Sequence, residues 1–494
     1  MSMRVGFAAL DLGTSRLRAG VFEDGSHPRL HIIADRPNAI RIAPGGVARC
    51  SFNSQWNAIR ELMGELGEWS RGSGIQHLHL GLCGQVSSLL RWDNNTQAPA
   101  DDDYAIWMDS TCQDALADTA RFWNHGGAER MLGTCMPAVT TWLAVKARDH
   151  ALRHPHDRST IFQVQDATFL RLTGERLTHP SSQTSLVHQH SWTYSAEVLK
   201  FAGLSPDRLP ELAPKGMARL LSAIQREAGL PDTTVHSGLM DTHAAFFGLF
   251  PEHGDGLLLT GTSEVLGVFE SWPREQAPAR MVRARLGEGW LVYGSSSSGG
   301  ASVRWLMTSL LGRNLEGDLE RLTKEAASIA PGSDGLNCMP YFGGERAPLW
   351  NSEATGSFLG LRTHHRDAHL LRALFEGIAF TRRQAAEALE CPMPARFLMA
   401  GGGAANGLWN SIRAAVLNRP LEVMEIGELA LIGSIRHAMT SAGIDTSPLR
   451  KLLHTMRVEP DAAMAASYQP LYSQFLANQN MLGIGITRKE EAHA

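Results

Sequence analysis

The stretches ALDLGTSRLRAGVFEDG (residues 9–25) and LLLTGTSEVLGVFE (residues 257–270) share one frame. In each, an apolar run leads to Gly-Thr-Ser, and a second apolar run then ends in Phe-Glu. This pattern predicts two β-strands joined by a tight turn. Because the frame occurs once in each half of the chain, it indicates a duplicated α/β unit.

The amino-acid totals describe a globular protein large enough for two hydrophobic cores. At 494 residues the chain exceeds the size at which a single core usually stops growing. The apolar fraction of 43% and the charged fraction of 19% are typical of soluble proteins. The net charge of -4 and the lack of any block of like charge exclude a strongly basic surface. We therefore expect no nucleic acid and no anionic membrane as a partner.

Cysteine spacing and the N-terminal sequence indicate the compartment. The six cysteines lie far apart without a Cys-x-x-Cys pair, which favours a reducing environment over zinc ribbons or disulfide frameworks. The first apolar stretch meets Asp11 too early for a signal peptide. No run approaches the roughly 20 apolar residues that span a bilayer. These features predict a cytoplasmic protein.

Hydrophobic periodicity predicts a similar series of strands and helices in each half. In the first half we expect strands at residues 4–12, 17–23, 76–82 and 235–239, and helices at residues 56–69 and from residue 242 onward. In the second half we expect strands at residues 257–270, 289–293 and 396–400, and helices beginning near residues 303, 369 and 429. The sequence therefore predicts two α/β lobes with a cleft between them, at residues 1–248 and 249–494.

A Gly-Thr-Ser turn can direct backbone N–H groups and hydroxyls at one point, and phosphate is the usual ligand of such an array. Glycine also lets the backbone approach a ligand closely. Only the first turn has an acid two residues ahead of it, Asp11, which suits Mg²⁺ held by one carboxylate, phosphates and water. The alternative is that each tripeptide is a hairpin turn chosen for its conformation alone.

The sequence does not match two other common nucleotide-binding patterns. No GxxxxGK followed by Ser or Thr occurs, which excludes a P-loop. AGGGAANGLWN (residues 400–410) places a glycine run between a strand and a helix, but it lacks the GxGxxG spacing of a dinucleotide fold. The glycines leave space for a flat purine ring, and the helix N-terminus after them favours phosphate.

Seven motifs in order resemble the FGGY family of carbohydrate kinases, within the superfamily that contains actin and heat-shock chaperone ATPases. The motifs are DLGTS (11–15), CGQ (83–85), WMD (107–109), GLMDTHAAFFG (238–248), TGTSE (260–264), PYFGGERAPLWNSEATGSFLGL with HLLRALFEGIAF (340–361 and 369–380), and AGGGAANGLWN (400–410). The resemblance implies two ribonuclease-H-like lobes with ATP and Mg²⁺ in an interlobe cleft, and phosphorylation of a sugar or polyol hydroxyl.

The resemblance also implies roles for residues at matching positions. Asp241 is expected to be the general base and Asp11 the Mg²⁺ ligand. The phosphates are expected to contact Gly13, Thr14, Ser15, Gly261 and Thr262. The adenosine is expected to contact Gly401, Gly402, Gly403 and Asn406, and the sugar Gln85, Ser87, Trp107, Asp109 and Asp241. The expected partners are a small sugar and ATP, and a homodimer is a candidate assembly.

Each acid also has a purely structural interpretation. Asp241 precedes a helix, where an aspartate can serve as an ordinary N-cap. Asp11 can bond to the backbone of its own turn, and Asp109 can be a loop carboxylate. Removal of a cap costs about 1 kcal/mol of stability. Removal of a positioned base costs roughly 10²–10⁴-fold in turnover, so the two interpretations can be separated by experiment.

The sugar motifs depart from the xylulose-type pattern at two positions. Residues 84–88 are GQVSS where ketopentose kinases of this family usually have GQMHG, and Thr111 stands where they tend to have arginine. We expect a ketopentose such as D-xylulose as the acceptor. Ribulose, fuculose, glycerol, erythritol and gluconate are alternatives, gluconate being disfavoured because Thr111 removes a cation. A second class of function is a non-catalytic, ATP-binding sugar sensor.

Overall fold

The first Gly-Thr-Ser turn joins two antiparallel strands, as predicted, in the computed structural model, which describes residues 3–124, 127–276 and 278–485. Strands β1 (Val5–Leu12) and β2 (Arg16–Glu23) pair with Leu12 opposite Leu17. Alternate residues of β1, among them Ala8, Leu10 and Leu12, are completely buried. The turn therefore projects from the end of a core strand.

The chain divides into two units that are discontinuous in sequence. The first unit comprises the described residues up to Phe250 together with Ala284–Gly287 and Glu428–Leu453. The second comprises Pro251–Arg283, Glu288–Gly427 and the described residues from His454 onward. A division at residues 248 and 249 stays a prediction, and its outer bounds, residues 1 and 494, lie outside the described residues.

Short strands and helices surround the hairpin in the first part of the chain. The further strands there are β3 (Arg29–Pro37), β4 (Ile40–Ala43), β5 (Val47–Ser51), β6 (His77–Gly84), β7 (Leu90–Asp93), β8 (Ala98–Pro99), β9 (Asp103–Ala105), β10 (Thr160–Phe162), β11 (Leu177–Thr178), β12 (Val187–His188), β13 (Thr193–Tyr194), β14 (Glu211–Leu212), β15 (Met217–Arg219), β16 (Asp232–His236) and β17 (Leu239–Met240). The helices are α1 (Phe52–Gly72), α2 (Gln113–Trp123), α3 (Gly127–Leu132), α4 (Leu143–Arg153), α5 (Val164–Thr173), α6 (Ala196–Ala202), α7 (Ser222–Ala228) and α8 (Asp241–Gly248).

The later part of the chain contains the remaining elements. The strands are β18 (Gly256–Thr260), β19 (Glu264–Glu270), β20 (Val282–Leu286), β21 (Gly289–Ser295), β22 (Asn337–Met339), β23 (Ser357–Leu359), β24 (Phe397–Ala400), β25 (Leu421–Met424) and β26 (Thr455–Val458). The helices are α9 (Gly300–Trp305), α10 (Leu315–Ala327), α11 (Asp367–Glu387), α12 (Gly407–Leu417), α13 (Leu429–Ser441), α14 (Ser447–Arg450) and α15 (Ala462–Met481).

The main sheets of the two units share one strand order. In the first unit the order is β15-β16-β6-β1-β2-β3, with β17 also paired to β6. In the second unit it includes β21-β19-β18-β24-β25. Each sheet thus has an antiparallel hairpin whose first strand pairs in parallel with a later strand, β6 or β24. The predicted repeat of a mixed α/β unit is confirmed.

Helix α13 belongs to the first unit although it lies late in the chain. It packs against β1, β6 and α8. Its residues Leu431, Ile432, Ile435 and Ala438 are completely buried. The first sheet therefore receives part of its cover from residues that follow most of the second unit in the sequence.

Among the residues that the structure describes, no helix combines the length and the apolar composition that crossing a membrane requires.

Candidate active site

Two aspartates lie at neighbouring strand ends of the first sheet. Strand β6 pairs in parallel with β1 on one side and with β17 on the other. Asp11 lies opposite Cys83, and Met240 lies opposite Gly84, so that Asp241 directly follows the paired residues. Because the carboxyl ends of parallel strands meet at one edge, the fold brings Asp11 and Asp241 to the same edge of the sheet.

The environment of these two acids disfavours their ionised forms. Burial, and after it the nearby Asp241 carboxylate, raise the pKa of Asp11 to about 7. Burial also raises the pKa of Asp241 to about 6, against hydrogen bonds from Thr242 that lower it. Two partly buried carboxylates in one electrostatic environment are typical of a functional site.

Asp241 is the first residue of α8, and Met240 occupies the N-cap position. Its Oδ1 accepts hydrogen bonds from the backbone N of Thr242 at 2.6 Å and from the Thr242 hydroxyl at 3.2 Å. An N-cap side chain instead accepts from a residue two or three positions further along. The structural interpretation of Asp241 as an ordinary N-cap is therefore not supported, and its Oδ2 is free of these bonds.

All three carbonyl groups of the first Gly-Thr-Ser turn accept hydrogen bonds from Asn38. Its side-chain amide donates to the carbonyls of Gly13 and Thr14, both at 3.0 Å, and its backbone N donates to that of Ser15 at 2.9 Å. The position that a Gly13 side chain would occupy is 3.7 Å from Asp11 Oδ1. A side chain there would also lie 2.9 Å from the Arg16 carbonyl oxygen, so the tight turn favours glycine, and Asn38 holds the three carbonyls of the turn.

A closed ring of buried hydrogen bonds begins and ends at Thr14. The Thr14 hydroxyl donates to Gln85 Oε1 (3.4 Å), and Gln85 Nε2 donates to the Tyr104 hydroxyl (3.5 Å). That hydroxyl donates to Gln55 Oε1 (2.7 Å), Gln55 Nε2 donates to Asn38 Oδ1 (3.1 Å), and Asn38 returns to the Thr14 carbonyl. We call these five residues the Thr14 ring. Each donor meets an acceptor, so the ring is fully satisfied.

The Thr14 ring changes what Gln85 can do. Gln85 is completely buried, and both ends of its amide are bonded within the ring. Trp107, which is partly buried, donates from Nε1 to the Thr14 hydroxyl at 3.0 Å. Thr14, Gln85 and Trp107, which come from three different motifs, are therefore joined by hydrogen bonds. These bonds connect the buried Gln85 to the partly buried Thr14 and Trp107.

Asp109 and Ser87 are also more deeply buried than their predicted roles require. The Asp109 carboxylate accepts from Ala48 N at 3.0 Å and from the Thr111 hydroxyl at 2.6 Å, and it pairs with Arg49 at 3.1 Å. Burial opposes ionisation, but these hydrogen bonds, Thr111 first, hold the pKa of Asp109 below its usual value. Ser87 is 2% exposed and has a φ of 60°. Both side chains are committed to the protein interior.

A cavity of about 170 Å³ lies beside Asp109 and is lined by several charged residues. Its cations are engaged: Arg49 pairs with Asp109, and Arg153 pairs with Asp149 at 2.8 Å. Lys146 donates to the backbone carbonyls of Thr140 and Thr141. The charges that border this cavity are therefore balanced within the protein.

The second Gly-Thr-Ser turn is held by backbone groups. Gly300 N donates to the Gly261 carbonyl and Ala301 N donates to the Thr262 carbonyl, both at 2.9 Å. Gly261 N donates to the Ser263 carbonyl, also at 2.9 Å. A side chain at Gly300 would begin 2.6 Å from the Gly261 carbonyl oxygen, so this approach requires glycine. Gly261 and Thr262 are exposed.

The loop that supplies Gly300 is fixed by Glu345. This buried carboxylate accepts from Ser297 N at 2.7 Å and from the hydroxyls of Ser296 (2.9 Å) and Ser298 (3.0 Å). The Ser/Gly segment at residues 294–302 is therefore an ordered support for the turn at residues 261–263.

The glycine run lies against the strand that leads into the second turn. Gly401 has a φ of 105°, and a side chain there would collide with the Thr260 carbonyl oxygen. Gly402 faces open space, as a ligand contact requires. Asn406 caps α12 by accepting from Trp409 N at 3.0 Å. The second unit thus brings its two predicted nucleotide motifs together at the ends of the parallel strands β18 and β24.

Sequence reasoning missed four supporting residues: Asn38, Gln55, Tyr104 and Gly300. The first three are single polar residues in separate segments, and only the fold shows that they meet. The sequence did contain a signal for Gly300, because this residue belongs to the Ser/Gly-rich loop directly ahead of a predicted helix. The sequence GGERAP favoured a structural role for Glu345, and its three hydrogen bonds to the loop at residues 296–298 are of that kind.

Comparisons with known proteins agree with this geometry. The description "FGGY family of carbohydrate kinases, N-terminal domain" matches residues 7–248, and the corresponding C-terminal domain matches residues 256–442. A gluconokinase from Bacillus subtilis is 28% identical over 270 residues, which make up 51% of this chain and 52% of that protein. The chain thus spans about half the length of that curated relative.

Two further proteins match over nearly their whole length. A glycerol kinase from Aquifex aeolicus is 24% identical over 91% of this chain and 92% of its own. The crystal structure of xylulose kinase from Lactobacillus acidophilus superposes with a TM-score of 0.86, covering 97% of this chain and 98% of that chain at 20% identity. That structural likeness confirms the predicted fold. With both domains of the family matched in order, the chain belongs to the FGGY family of carbohydrate kinases.

Proposed function

We propose that this protein transfers the γ-phosphoryl group of ATP to a hydroxyl of a small neutral sugar, with a ketopentose such as D-xylulose as the first candidate. The observation that supports the proposal most is the pair of partly buried carboxylates, Asp11 and Asp241, at adjacent strand ends beside a Gly-Thr-Ser turn. Phosphoryl transfer depends mainly on positioning and on charge stabilisation, and these residues can provide both.

Asp241 serves as the general base. Its pKa of about 6 leaves the carboxylate mostly ionised at neutral pH while it remains basic enough to take a proton. In the reaction the sugar hydroxyl loses its proton to Asp241, and its oxygen forms a bond to the γ-phosphorus. The bond between that phosphorus and the bridging oxygen breaks, and ADP leaves. The start of α8 stabilises the negative charge on Asp241 before the transfer.

Mg²⁺ fits beside Asp11. The Asp241 carboxylate makes ionisation of Asp11 more costly, and a divalent cation relieves that repulsion. The position that a Gly13 side chain would occupy is 3.7 and 3.8 Å from the two Asp11 oxygens, so glycine keeps a methyl group away from the carboxylate. When bound, Mg²⁺ neutralises charge on the phosphates. Asp11 is therefore proposed as its protein ligand, with the remaining positions taken by phosphate and water.

The two Gly-Thr-Ser turns are proposed to contact the ATP phosphates, and the glycine run the adenosine. Every carbonyl of both turns accepts a hydrogen bond, that of Ser263 from Gly261 N within the same turn and the others from elsewhere in the same unit. The polar backbone groups that stay available to an anion are therefore amide N–H groups, as in other phosphate-binding loops. The open space at Gly402 suits a purine.

The charges near the sugar motifs favour a neutral acceptor over an aldonate. Arg49, Arg153 and Lys146 are all engaged by protein groups. A substrate carboxylate would have to displace one of these partners and would itself lose hydration. The Thr14 hydroxyl donates to Gln85 and accepts from Trp107, so it keeps one lone pair that can accept from a sugar hydroxyl, and Trp107 provides an apolar face.

The decisive experiment measures ADP release with D-xylulose, L-xylulose, ribulose, fuculose, glycerol, erythritol and gluconate, each with ATP and Mg²⁺. We expect a ketopentose to give the highest kcat/KM. In Asp241→Asn, turnover should fall about 10²–10⁴-fold because the base is lost. Gluconate as the best substrate would contradict the neutral-acceptor proposal.

Asp461→Asn is the matched control for Asp241→Asn. Asp461 is a true N-cap, since its carboxylate accepts from Met464 N at 2.7 Å. Asparagine is itself a good N-cap, so this variant should keep both stability and turnover. A folded Asp241→Asn enzyme with wild-type turnover would remove Asp241 from the mechanism.

A further inference from the structure

One buried ion pair in the second unit connects the two predicted nucleotide motifs. Glu264 directly follows the Gly-Thr-Ser turn as the first residue of β19, and Arg413 lies in α12 behind the glycine run. Both side chains are 0% exposed, and the Arg413 guanidinium donates to the Glu264 carboxylate. An ion pair so completely removed from water is expensive unless each group is well bonded.

The guanidinium of Arg413 also reaches the glycine run itself. Its Nη1 donates to the Gly403 carbonyl at 3.3 Å and to Asn410 Oδ1 at 3.2 Å. The same guanidinium lies over the Trp409 ring, with 3.7 Å between Cζ and the ring centre. Its planar fork is therefore held on one face by an aromatic ring and at its edges by three acceptors.

These contacts fix the distance between the second Gly-Thr-Ser turn and the glycine run, which the pairing of β18 with β24 does not set by itself. Strands β18 and β24 end at Thr260 and Ala400, where Thr260 Oγ1 donates to the Ala400 carbonyl at 3.0 Å. Beyond these residues the turn is a loop, and the glycine run enters a short 3-10 helix at Gly402–Ala405. Arg413 joins the first residue after the turn, Glu264, to the carbonyl of Gly403, and so connects the two loops behind their ligand-facing sides.

We infer that Arg413 is a nucleotide-positioning residue, which with Glu264 sets the distance between the phosphate-contacting turn and the adenosine-contacting glycine run. This inference rests on the proposed function, because both loops are assigned to ATP there. A nucleotide that contacts both loops binds well only when their spacing matches its length, and a displacement of about 1 Å can cost up to 10²-fold in an enzyme site. Arg413 contacts no nucleotide directly and acts through the loops.

The test compares Arg413→Met and Arg413→Lys with the wild type. In Arg413→Met the Glu264 carboxylate keeps Arg382, whose Nε lies 3.9 Å from Glu264 Oε2, so the acid is not left without a cation. Lysine keeps the charge but cannot reach Glu264 and Gly403 together, because it lacks the fork. We expect ADP binding, measured by calorimetry with Mg²⁺, to weaken about tenfold or more in Arg413→Met and by less in Arg413→Lys.

Two control variants separate positioning from general destabilisation. Arg372→Met removes an arginine of the same burial, which pairs with Glu376 at 2.9 Å inside α11. Arg396→Met breaks a pair with Asp255 that joins β24 to β18 at their opposite ends. Both are expected to lower Tm and to leave ADP affinity within about twofold of the wild type. KM for ATP should rise in the Arg413 variants alone, with KM for the sugar unchanged.

Each result has one interpretation. Folded Arg413 variants that bind ADP as the wild type does would overturn the inference, and so would control variants that lose ADP affinity to the same extent. If Arg413→Met does not fold, Arg413→Lys decides by the same criterion. A wild-type protein that binds no ADP would instead refute the nucleotide assignment on which the inference rests.

Discussion

The two Gly-Thr-Ser turns have the same sequence and similar strands, yet they are supported in different ways. In the first, one side chain and the backbone of Asn38 satisfy all three carbonyls. In the second, the backbone N–H groups of Gly300, Ala301 and Gly261 do so. The first turn therefore depends on a network of polar side chains and the second on close backbone packing.

This difference determines which substitutions each turn tolerates. A turn held by side chains can be altered by removing one hydroxyl or amide some distance away, because the change passes along the hydrogen bonds. A turn held by backbone contacts is insensitive to most side chains and sensitive to any added carbon at the contact. The first turn also carries an acid at the position where the second has Leu259.

The largest expected effect tests that acid. In Asp11→Asn, kcat/KM should fall by about 10²-fold or more, because the proposed Mg²⁺ ligand loses its charge. The Mg²⁺ concentration for half-maximal activity should rise, which a titration of activity against Mg²⁺ measures. Asp35→Asn is the control, since Asp35 is an acid of the same sheet that accepts from Arg16 at 2.6 Å. If Asp11→Asn needs the same Mg²⁺ concentration as the wild type for half-maximal activity, Asp11 is not the Mg²⁺ ligand, and the acid does not distinguish the two turns.

A smaller effect is expected at the backbone contact of the second turn. Gly300→Ala places a carbon 2.6 Å from the Gly261 carbonyl oxygen, so the turn must shift. We expect KM for ATP to rise about tenfold, since small displacements of binding groups are costly. Gly317→Ala, where a side chain meets open space on α10, should be neutral or slightly stabilising. Equal KM values in the two variants would show that the backbone contact is dispensable.

The Thr14 ring predicts a smaller change in the first turn. Tyr104→Phe leaves Gln85 Nε2 and Gln55 Oε1 without partners, which should cost about 1–3 kcal/mol of stability. KM for the sugar should rise several-fold because Thr14 is less well oriented. Tyr341→Phe is the control, since this buried hydroxyl bonds to Gln479 in the second unit. It should reduce Tm without changing KM for the sugar.

The smallest expected effect is on the pH dependence of stability of the first unit, which contains the first Gly-Thr-Ser turn. Burial lowers the pKa of His236 to about 3, and its Nε2 lies 3.0 Å from His79 Nδ1. Because the unfolded state binds a proton near pH 6.5 and the folded state does not, His236 has no effect on the pH dependence of stability above that pH and destabilises the fold as pH falls toward 3. In this range one such histidine makes stability fall by about 1.4 kcal/mol per pH unit.

Thermal unfolding at pH 7 and pH 5.5 tests this sign. Buried carboxyls with raised pKa values, Asp11, Asp166 and Asp241, act in the opposite direction and are common to all variants. The comparison of His236→Gln with the wild type isolates the histidine, and the variant should lose less Tm on acidification. His454→Gln, an exposed position, should follow the wild type. If His236→Gln and His454→Gln lose the same Tm on acidification, the pH dependence does not come from His236.

The sequence was informative wherever a pattern was local. The apolar runs that flank the Gly-Thr-Ser turns predicted the hairpins, and the alternation at residues 76–82 predicted β6; together they indicated the strand ends that carry Asp11 and Asp241. The strands at residues 29–51 were not predicted, because their alternation is weak and their pairing depends on partners far along the chain. Burial was also not predictable, and Gln85 and Asp109 proved to be interior groups. The Thr14 ring could not be predicted, since its members come from five separate segments.

The place of α13 in the sequence has a consequence for biosynthesis. The ribosome releases the strands of the first sheet long before it releases residues 429–441, which bury Leu431, Ile432 and Ile435 against that sheet. During this interval an apolar face stays uncovered while most of the second unit is being translated, and such faces promote association with chaperones or with other nascent chains. A gene fragment that ends at residue 250 should accordingly yield aggregates, and supplying residues 428–453 through a linker should restore a soluble first unit.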